Sequence, residues 1–152
     1  MRAVIQRVIG TKVTVDGELK GSAGKGFNIL LGVMDGDTDA EAQLLAAKIS
    51  KLRVFEDENG KMNLSILDIG GEILVISQFT LCADIKKGNR PSFTASAQPQ
   101  EANRLYLAFC DELRTLGVKK VETGVFAADM LVSIENDGPV TIVADTDIWT
   151  KR

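Results

Sequence analysis

The chain has 152 residues, 45% hydrophobic and 26% charged, a balance that suits one domain with its own core and excludes a disordered or collagen-like chain. Eighteen Lys and Arg against twenty-one Asp and Glu leave −3, so no general basic field draws nucleic acid in. There is no histidine, which removes every His-based triad, dyad, zinc site or imidazole shuttle within the chain.

Residues 3–9 and 12–20 are rich in Val, Ile and Thr and read as strands, with Asp16-Gly17 a two-residue hairpin signal between Val15 and Glu18. The glycine-rich run Gly21 to Gly26 precedes a strand rather than a helix, which excludes a phosphate loop. Phe27 to Val33 is a nearly unbroken apolar run, as expected of a central strand covered on both faces. Thr38 followed by Glu41 is a capping-box pattern, and Ala42, Leu45, Ile49 and Leu52 form one stripe of the helix it starts. Residues 56–71 are turn-rich, with a short strand or helical turn expected near Leu64, and Glu72 to Cys82 reads as strand. Residues 83–98 read as a surface loop. A second helix begins near Pro99, carries Ala102, Leu105, Phe109, Leu113 and Leu116 on one face, and stops at Gly117. Residues 118–126, 130–135 and 139–145 read as three strands, the last two joined by a turn at Asn136-Asp137-Gly138, with Pro139 opening the final strand.

No linker, repeat or low-complexity stretch divides residues 1–152, so a single domain is expected. The fold class is α+β, with mixed or antiparallel β layers and two main helices packed on one side. Cys82 and Cys110 form no CxxC pair and read as reduced thiols of a cytoplasmic protein. The N-terminus lacks a secretory core, and no apolar run approaches the ~20 residues of a membrane helix, so no membrane partner is expected.

Three segments stand out chemically. Ser77-Gln78-Phe79-Thr80-Leu81 ends a strand that starts with the wholly apolar Ile73 to Ile76. On a regular strand Gln78 and Thr80 share a face with Leu74 and Ile76, and Ser77 and Phe79 take the other. Polar groups there need partners, since an unpaired buried amide or hydroxyl costs ~1–3 kcal/mol. They either bond backbone as the strand emerges or line a functional pocket. Asn136 to Thr141 reads as a hairpin turn, and the residues alone give no reason for a cis Gly138–Pro139 bond. Lys86, Lys87 and Arg90 form either a solvated loop or, with Lys119 and Lys120, a local phosphate contact. Asp and Glu are scattered without metal-site spacing, and GxGxxG, P-loop and GxSxG patterns are absent, so neither metal nor cofactor is expected.

Met1 to Val8, Gly60 to Leu64, Ser77 to Leu81, Arg90 to Phe93, Gly124 to Met130 and Asn136 to Thr141 together closely resemble the bacterial D-aminoacyl-tRNA (D-tyrosyl-tRNA) deacylase family. The six motifs stand in register across essentially the whole chain. The resemblance implies a cytoplasmic homodimer, with its active site at the subunit interface, that hydrolyses the ester joining a D-amino acid or glycine to the 3′-terminal adenosine of tRNA and spares L-aminoacyl-tRNA. Carried over by position, Ser77, Gln78, Phe79 and Thr80 are the catalytic segment, and Met130 lines the pocket. Gly138 and Pro139, joined by a cis bond, enter the other subunit's site, and Arg7 holds their loop. Ala144 to Arg152 extends past the shorter family pattern, with no role to assign.

Such chemistry needs no histidine. The ester is labile, and main-chain N–H groups at an oxyanion are worth ~2.7–4 kcal/mol for one donor. Phe79 and Thr80 would supply them, with water attacking and the ribose 2′-hydroxyl assisting; a Thr80 nucleophile has no evident base. Backbone of the Gly-Pro turn crowding an L side chain accounts for selectivity, ~10⁴ being about 5.5 kcal/mol. Two other classes remain in contention: a non-catalytic RNA-binding module, which calls for a broad basic face, and a Thr or Ser hydrolase of free D-amino acid derivatives.

Overall fold

A computed structural model describes residues 1–150. The chain runs β1 (Arg2–Val15), β2 (Glu18–Ala23), β3 (Gly26–Gly32), α1 (Asp39–Ser50), β4 (Phe55–Glu56), β5 (Met62–Leu64), α2 (Ile66–Ile69), β6 (Glu72–Ser77), a 3-10 turn (Phe79–Cys82), α3 (Pro99–Thr115), β7 (Val121–Thr123), β8 (Leu131–Asp145) and α4 (Asp147–Thr150). Six strands form one mixed sheet, and β4 and β5 form a separate hairpin. β1 is flanked by β8 on one side and, on the other, by β3 along its first half and β2 along its second. β3 pairs in parallel with β6, and β6 with β7. Helices α1 and α3 pack together on one face, giving the α+β layout expected.

Local signals explain most of these elements. Asp16 and Gly17 both take positive φ, 51° and 78°, the geometry a two-residue hairpin needs. Thr38 and Glu41 close a capping box at α1, which buries Ala42, Leu45 and Ile49; Leu52 lies past the helix end and packs on the core. Ser65 and Asp68 cap α2 in the same way, just after Leu64. Pro99 opens α3, which buries Ala102, Leu105, Phe109 and Leu113.

The main core lies between the helices and the sheet, and a smaller one of Val13, Ala23, Leu74 and Ile76 lies on the opposite face. β1 serves both. Ala3 and Ile5 enter the main core, whereas Val13 enters the small one although it has the same parity. Val8 pairs with Asn136 and Gly10 with Glu135, so β1 carries one extra residue, the exposed Ile9. Inserting one residue into a period of two turns the rest of the strand over.

Three expectations need correction. β6 ends at Ser77 rather than Cys82: Gln78 N–H makes the last ladder-like bond, to Leu31 O (2.8 Å), and Leu81 N–H then turns back to Gln78 O (3.2 Å). The face assignment for Gln78 and Thr80 therefore fails, because they do not sit on a strand. The strand expected over 118–126 keeps only Val121–Thr123. The strands expected over 130–135 and 139–145 are one strand, β8, and Asn136 to Pro139 is not a hairpin turn. Gln6 pairs with Thr141 and Val8 with Asn136, so β8 pushes out an irregular excursion opposite Arg7 and then resumes its ladder with β1. A turn-forming composition yields a bulge here because β1 is long enough to pair both sides of it.

The segment beginning at Ala144 is built into the fold as far as it is described. Ala144 and Asp145 end β8 against Ala3 and Arg2, and the hydroxyl of buried Thr146 accepts a hydrogen bond from the Met1 amine (2.8 Å). Lys151 and Arg152, also part of the expected extension, lie outside the described residues. Cys82 and Cys110 are free and buried, and burial pushes the Cys110 thiol up to about 12.

Candidate active site

β3 and β6 run parallel and end side by side, and the chain leaving β6 folds at once into the 3-10 turn. Gly32 permits that approach: a Cβ there would lie 3.0 Å from Leu81 Cβ and 3.1 Å from Gln78 O. Cys82 Sγ lies 3.5 Å from Val33 O, fixing the far end of the turn to the strand beside it. A 3-10 turn leaves its leading N–H groups without intrahelical acceptors. Here those are Phe79 and Thr80, and the bonds closing the turn come from Leu81 and Ala83 instead. The Thr80 hydroxyl accepts from the Gln78 side-chain amide, and among the described residues no side-chain base accepts its proton.

Beside the turn lies a cavity of about 490 Å³. Leu31, Val33, Ile76 and Val132 form its sheet-side wall, and Ser96, Ala97, Pro99 and Ala102 give a second wall from the loop before α3 and its first turn. Phe126, Ala127, Ala128, Asp129 and Met130 complete it, with Ser77, Gln78 and Phe79 on the remaining side. Ala127 has φ 65°, a left-handed conformation that costs a non-glycine residue about 1–2 kcal/mol. Asp129 is the one ionisable lining residue among the described residues, and it is exposed. Met130 owes its place to Gly124, where a Cβ would lie 2.5 Å from the Met130 sulfur. The cavity is thus mainly apolar and nearly free of titrating groups, with main-chain donors beside it. It can hold an uncharged reacting group and stabilise a developing oxyanion by dipoles rather than by proton transfer.

The remaining expected site residues lie elsewhere. Buried Arg7 donates from Nε to Asp137 O (3.3 Å) and from Nη1 to Val54 O (2.6 Å), and Nε is also 3.3 Å from the Asp137 carboxylate. Asn136 Nδ2 ties the base of the bulge to Arg7 O (3.0 Å) and Val140 O (3.2 Å). Gly138 has φ 110°, and a Cβ on it would lie 2.3 Å from Arg7 Nη2, so no other residue fits without displacing the guanidinium. Gly138 and Pro139 are exposed and are not cavity residues. The bond between them is trans, which corrects the cis geometry implied by the resemblance. An X–Pro bond favours trans by ~0.5–1 kcal/mol, and the Arg7 and Asn136 hydrogen bonds that hold the bulge are made with the bond in that form.

One chain therefore brings Ser77, Gln78, Phe79 and Met130 to the cavity, with Thr80 in the same turn, and gathers Arg7, Gly138 and Pro139 into a separate bulge. Ala97, Pro99 and Ala102 were missed as cavity residues. Ala102 shares the apolar stripe of α3 with true core positions, and its small size was the one usable signal.

A family model described as D-Tyr-tRNA(Tyr) deacylase matches residues 4–145. D-aminoacyl-tRNA deacylase of Lacticaseibacillus casei (strain BL23) is 57% identical over 97% of this chain and 99% of its own length. That of Jannaschia sp. (strain CCS1) is 58% identical over 96% and 99%. The solved structure of a c-Myc DNA Unwinding Element Binding Protein is 43% identical, with a TM-score of 0.90 over 95% of this chain and 98% of that one. A probable eukaryotic D-amino acid tRNA deacylase shares the fold, with a TM-score of 0.81 at 18% identity over 94% of this chain and 97% of that one. Agreement of this extent, on a chain whose parallel β3–β6 pair ends beside a cavity lined by Ser77 to Phe79, means that the chain belongs to the D-Tyr-tRNA(Tyr) deacylase family of hydrolases.

Proposed function

We propose that this enzyme hydrolyses the ester between a D-amino acid and the 3′-terminal adenosine of tRNA, accepts glycyl-tRNA, and rejects L-aminoacyl-tRNA. The observation that carries this reading is the pairing of a nearly uncharged cavity with the leading N–H groups of the 3-10 turn beside it. The aminoacyl group occupies the cavity, and the Phe79 and Thr80 N–H groups receive the carbonyl oxygen as it gains charge. Water attacks, the ribose 2′-hydroxyl assists, and Thr80 stays a spectator because among the described residues no side-chain base accepts its proton. Ser77 and Gln78 shape the mouth, and Met130 bounds the side-chain end.

The Gly138–Pro139 bulge acts on the cavity of a second copy in a cytoplasmic homodimer. Among the described residues β8 pairs only with β1 and leaves a 15-residue edge, along which Leu131 and Val143 are 69% and 73% exposed. A long open edge carrying apolar side chains calls for cover. Held from behind by Arg7, the bulge presents stiff backbone to the substrate's α-carbon, crowding an L side chain and leaving a D side chain or glycine untouched.

The test is single-turnover deacylation of matched D-Tyr-, L-Tyr- and Gly-tRNA. The wild type is expected to cleave the first and third only. Thr80→Val is expected to stay within about fivefold of it, whereas exchanging the residue-80 amide for an ester, which deletes one N–H, lowers the rate about 10²–10³-fold. Loss of all turnover in Thr80→Val with an acyl-enzyme trapped in the wild type overturns the water mechanism. Gly138→Ala, which must shift the bulge, is expected to admit L-Tyr-tRNA; unchanged selectivity overturns the role given to the bulge.

A further inference from the structure

We propose that the arm between Asp84 and Ser92 is a phosphate-binding surface that holds the 3′ strand of the RNA next to the terminal nucleotide, an inference that rests on the deacylase reading above. Residues 86–90 are the only five-residue window of the chain with three cations, Lys86, Lys87 and Arg90. All three are exposed, and among the described residues none of their charged side chains pairs with a carboxylate. Lys120, by contrast, lies 3.5 Å from Glu72 and 3.7 Å from Glu122, so half of the second basic pair of the sequence is already neutralised.

The arm is a built feature. Asp84 and Ser92 exchange two backbone hydrogen bonds of 2.8 and 2.9 Å at its base, and the Asp84 side chain accepts from Lys86 N–H (2.9 Å). Gly88 turns the tip with φ 67°. Both roots adjoin the cavity. Before the arm stands the 3-10 turn, and the Phe93 ring meets the Phe79 ring edge-on, with centroids 5.0 Å apart. After it come Ser96 and Ala97, which line the cavity, and Ala97 N–H donates to Val33 O (3.0 Å).

Arg90 is three residues from Phe93, within roughly 10 Å along the chain. An ester delivered to the cavity therefore brings the phosphates of its own strand past these cations. A chain of net charge −3 has no broad field to supply that attraction, so the local patch must do so. Phosphate contacts position a strand without reading its bases, which suits an enzyme that takes many tRNAs. Three single-strand phosphate contacts correspond to a slope of about −2 in log affinity against log salt.

The experiment compares the wild type with Lys86→Gln/Lys87→Gln/Arg90→Gln. A matched control, Lys12→Gln/Lys25→Gln/Lys51→Gln, removes the same charge from exposed sites elsewhere. Binding of deacylated tRNA is followed by anisotropy from 50 to 300 mM salt. Cleavage is measured on D-tyrosyl-tRNA and on the D-tyrosyl ester of adenosine, which has no phosphate. The arm variant is expected to bind tRNA about 10–100-fold more weakly at low salt, with a flatter salt slope. Its kcat/KM on the tRNA substrate relative to the adenosine ester is expected to fall by a similar factor through KM, and the control is expected to behave as the wild type. Equal binding, salt slope and substrate ratio in arm variant and wild type overturn the proposal, as does an equal loss in the control. If the wild type cleaves neither ester yet the arm variant alone loses tRNA binding, the deacylase reading fails and the arm's phosphate role stands.

Discussion

Two strands of this sheet break off their ladders, with opposite results. β6 stops at Ser77 and the chain coils into a 3-10 turn, which leaves the Phe79 and Thr80 N–H groups leading the turn beside a cavity that one chain encloses. β8 is interrupted at Asp137 to Pro139 and resumes, with a buried guanidinium accepting the task of holding the displaced carbonyl. In the first region the loose groups are donors and stay available; in the second the Asp137 carbonyl is bonded from inside by Arg7, and Gly138 and Pro139 face outward. A ladder that terminates thus offers unpaired dipoles, whereas one that is interrupted offers a rigid shape. The first suits charge stabilisation and the second steric selection.

The sharpest way to break this contrast is Arg7→Ala. It strips Val54 O and Asp137 O of their donor, and it is expected to cost about 2–3 kcal/mol in urea denaturation. The loss stays below the ~3–5 kcal/mol of a fully buried pair because the Asp137 side chain, 40% exposed, can turn to water. Arg7→Lys keeps the charge without the fork and is expected to recover only part of this. An Arg7→Ala variant as stable as the wild type would mean that the bulge holds itself.

Gly124→Ala probes the other region. The new Cβ evicts the Met130 sulfur from its present place, and the cavity narrows at the side-chain end. A misfit of this size is worth ~1–3 kcal/mol. We expect kcat/KM to fall roughly 10-fold or more on D-Tyr-tRNA and much less on D-Ala-tRNA, with Gly124→Ala/Met130→Ala recovering the larger substrate. Equal losses on both substrates would show that Met130 does not bound the pocket.

The smallest effect calibrates both. At the α1 cap the Thr38 hydroxyl and N–H hold the Glu41 carboxyl below its ordinary value. A depressed carboxylate stabilises the fold above its unfolded value and loses that contribution as pH falls through the folded one. Glu41→Gln is therefore expected to flatten the acid limb of stability below about pH 4.5 and to leave deacylation at neutral pH unchanged.

Elements governed by neighbours in sequence were legible from the residues. The Asp16-Gly17 hairpin, the Thr38–Glu41 cap, the apolar β3 run and the stripe of α3 each depend on contacts within a few positions, so composition and period were sufficient. The resemblance adds the identity of the segment at the end of β6, where the residues by themselves fit both a strand emerging into solvent and a pocket wall. What could not be read depended on partners far away in the chain, from some tens of positions to more than a hundred. Whether Asn136 to Pro139 closes a hairpin or bulges from one long strand is decided by β1, whose Gln6 and Val8 pair on either side of it. Whether Gly138 must be glycine is decided by Arg7, 131 positions earlier, and whether Ala102 is core or cavity wall by how α3 meets the ends of β3 and β6. Short-range signals specify φ, ψ and side-chain period, but the register of a long strand and the space left between layers are properties of the packed whole.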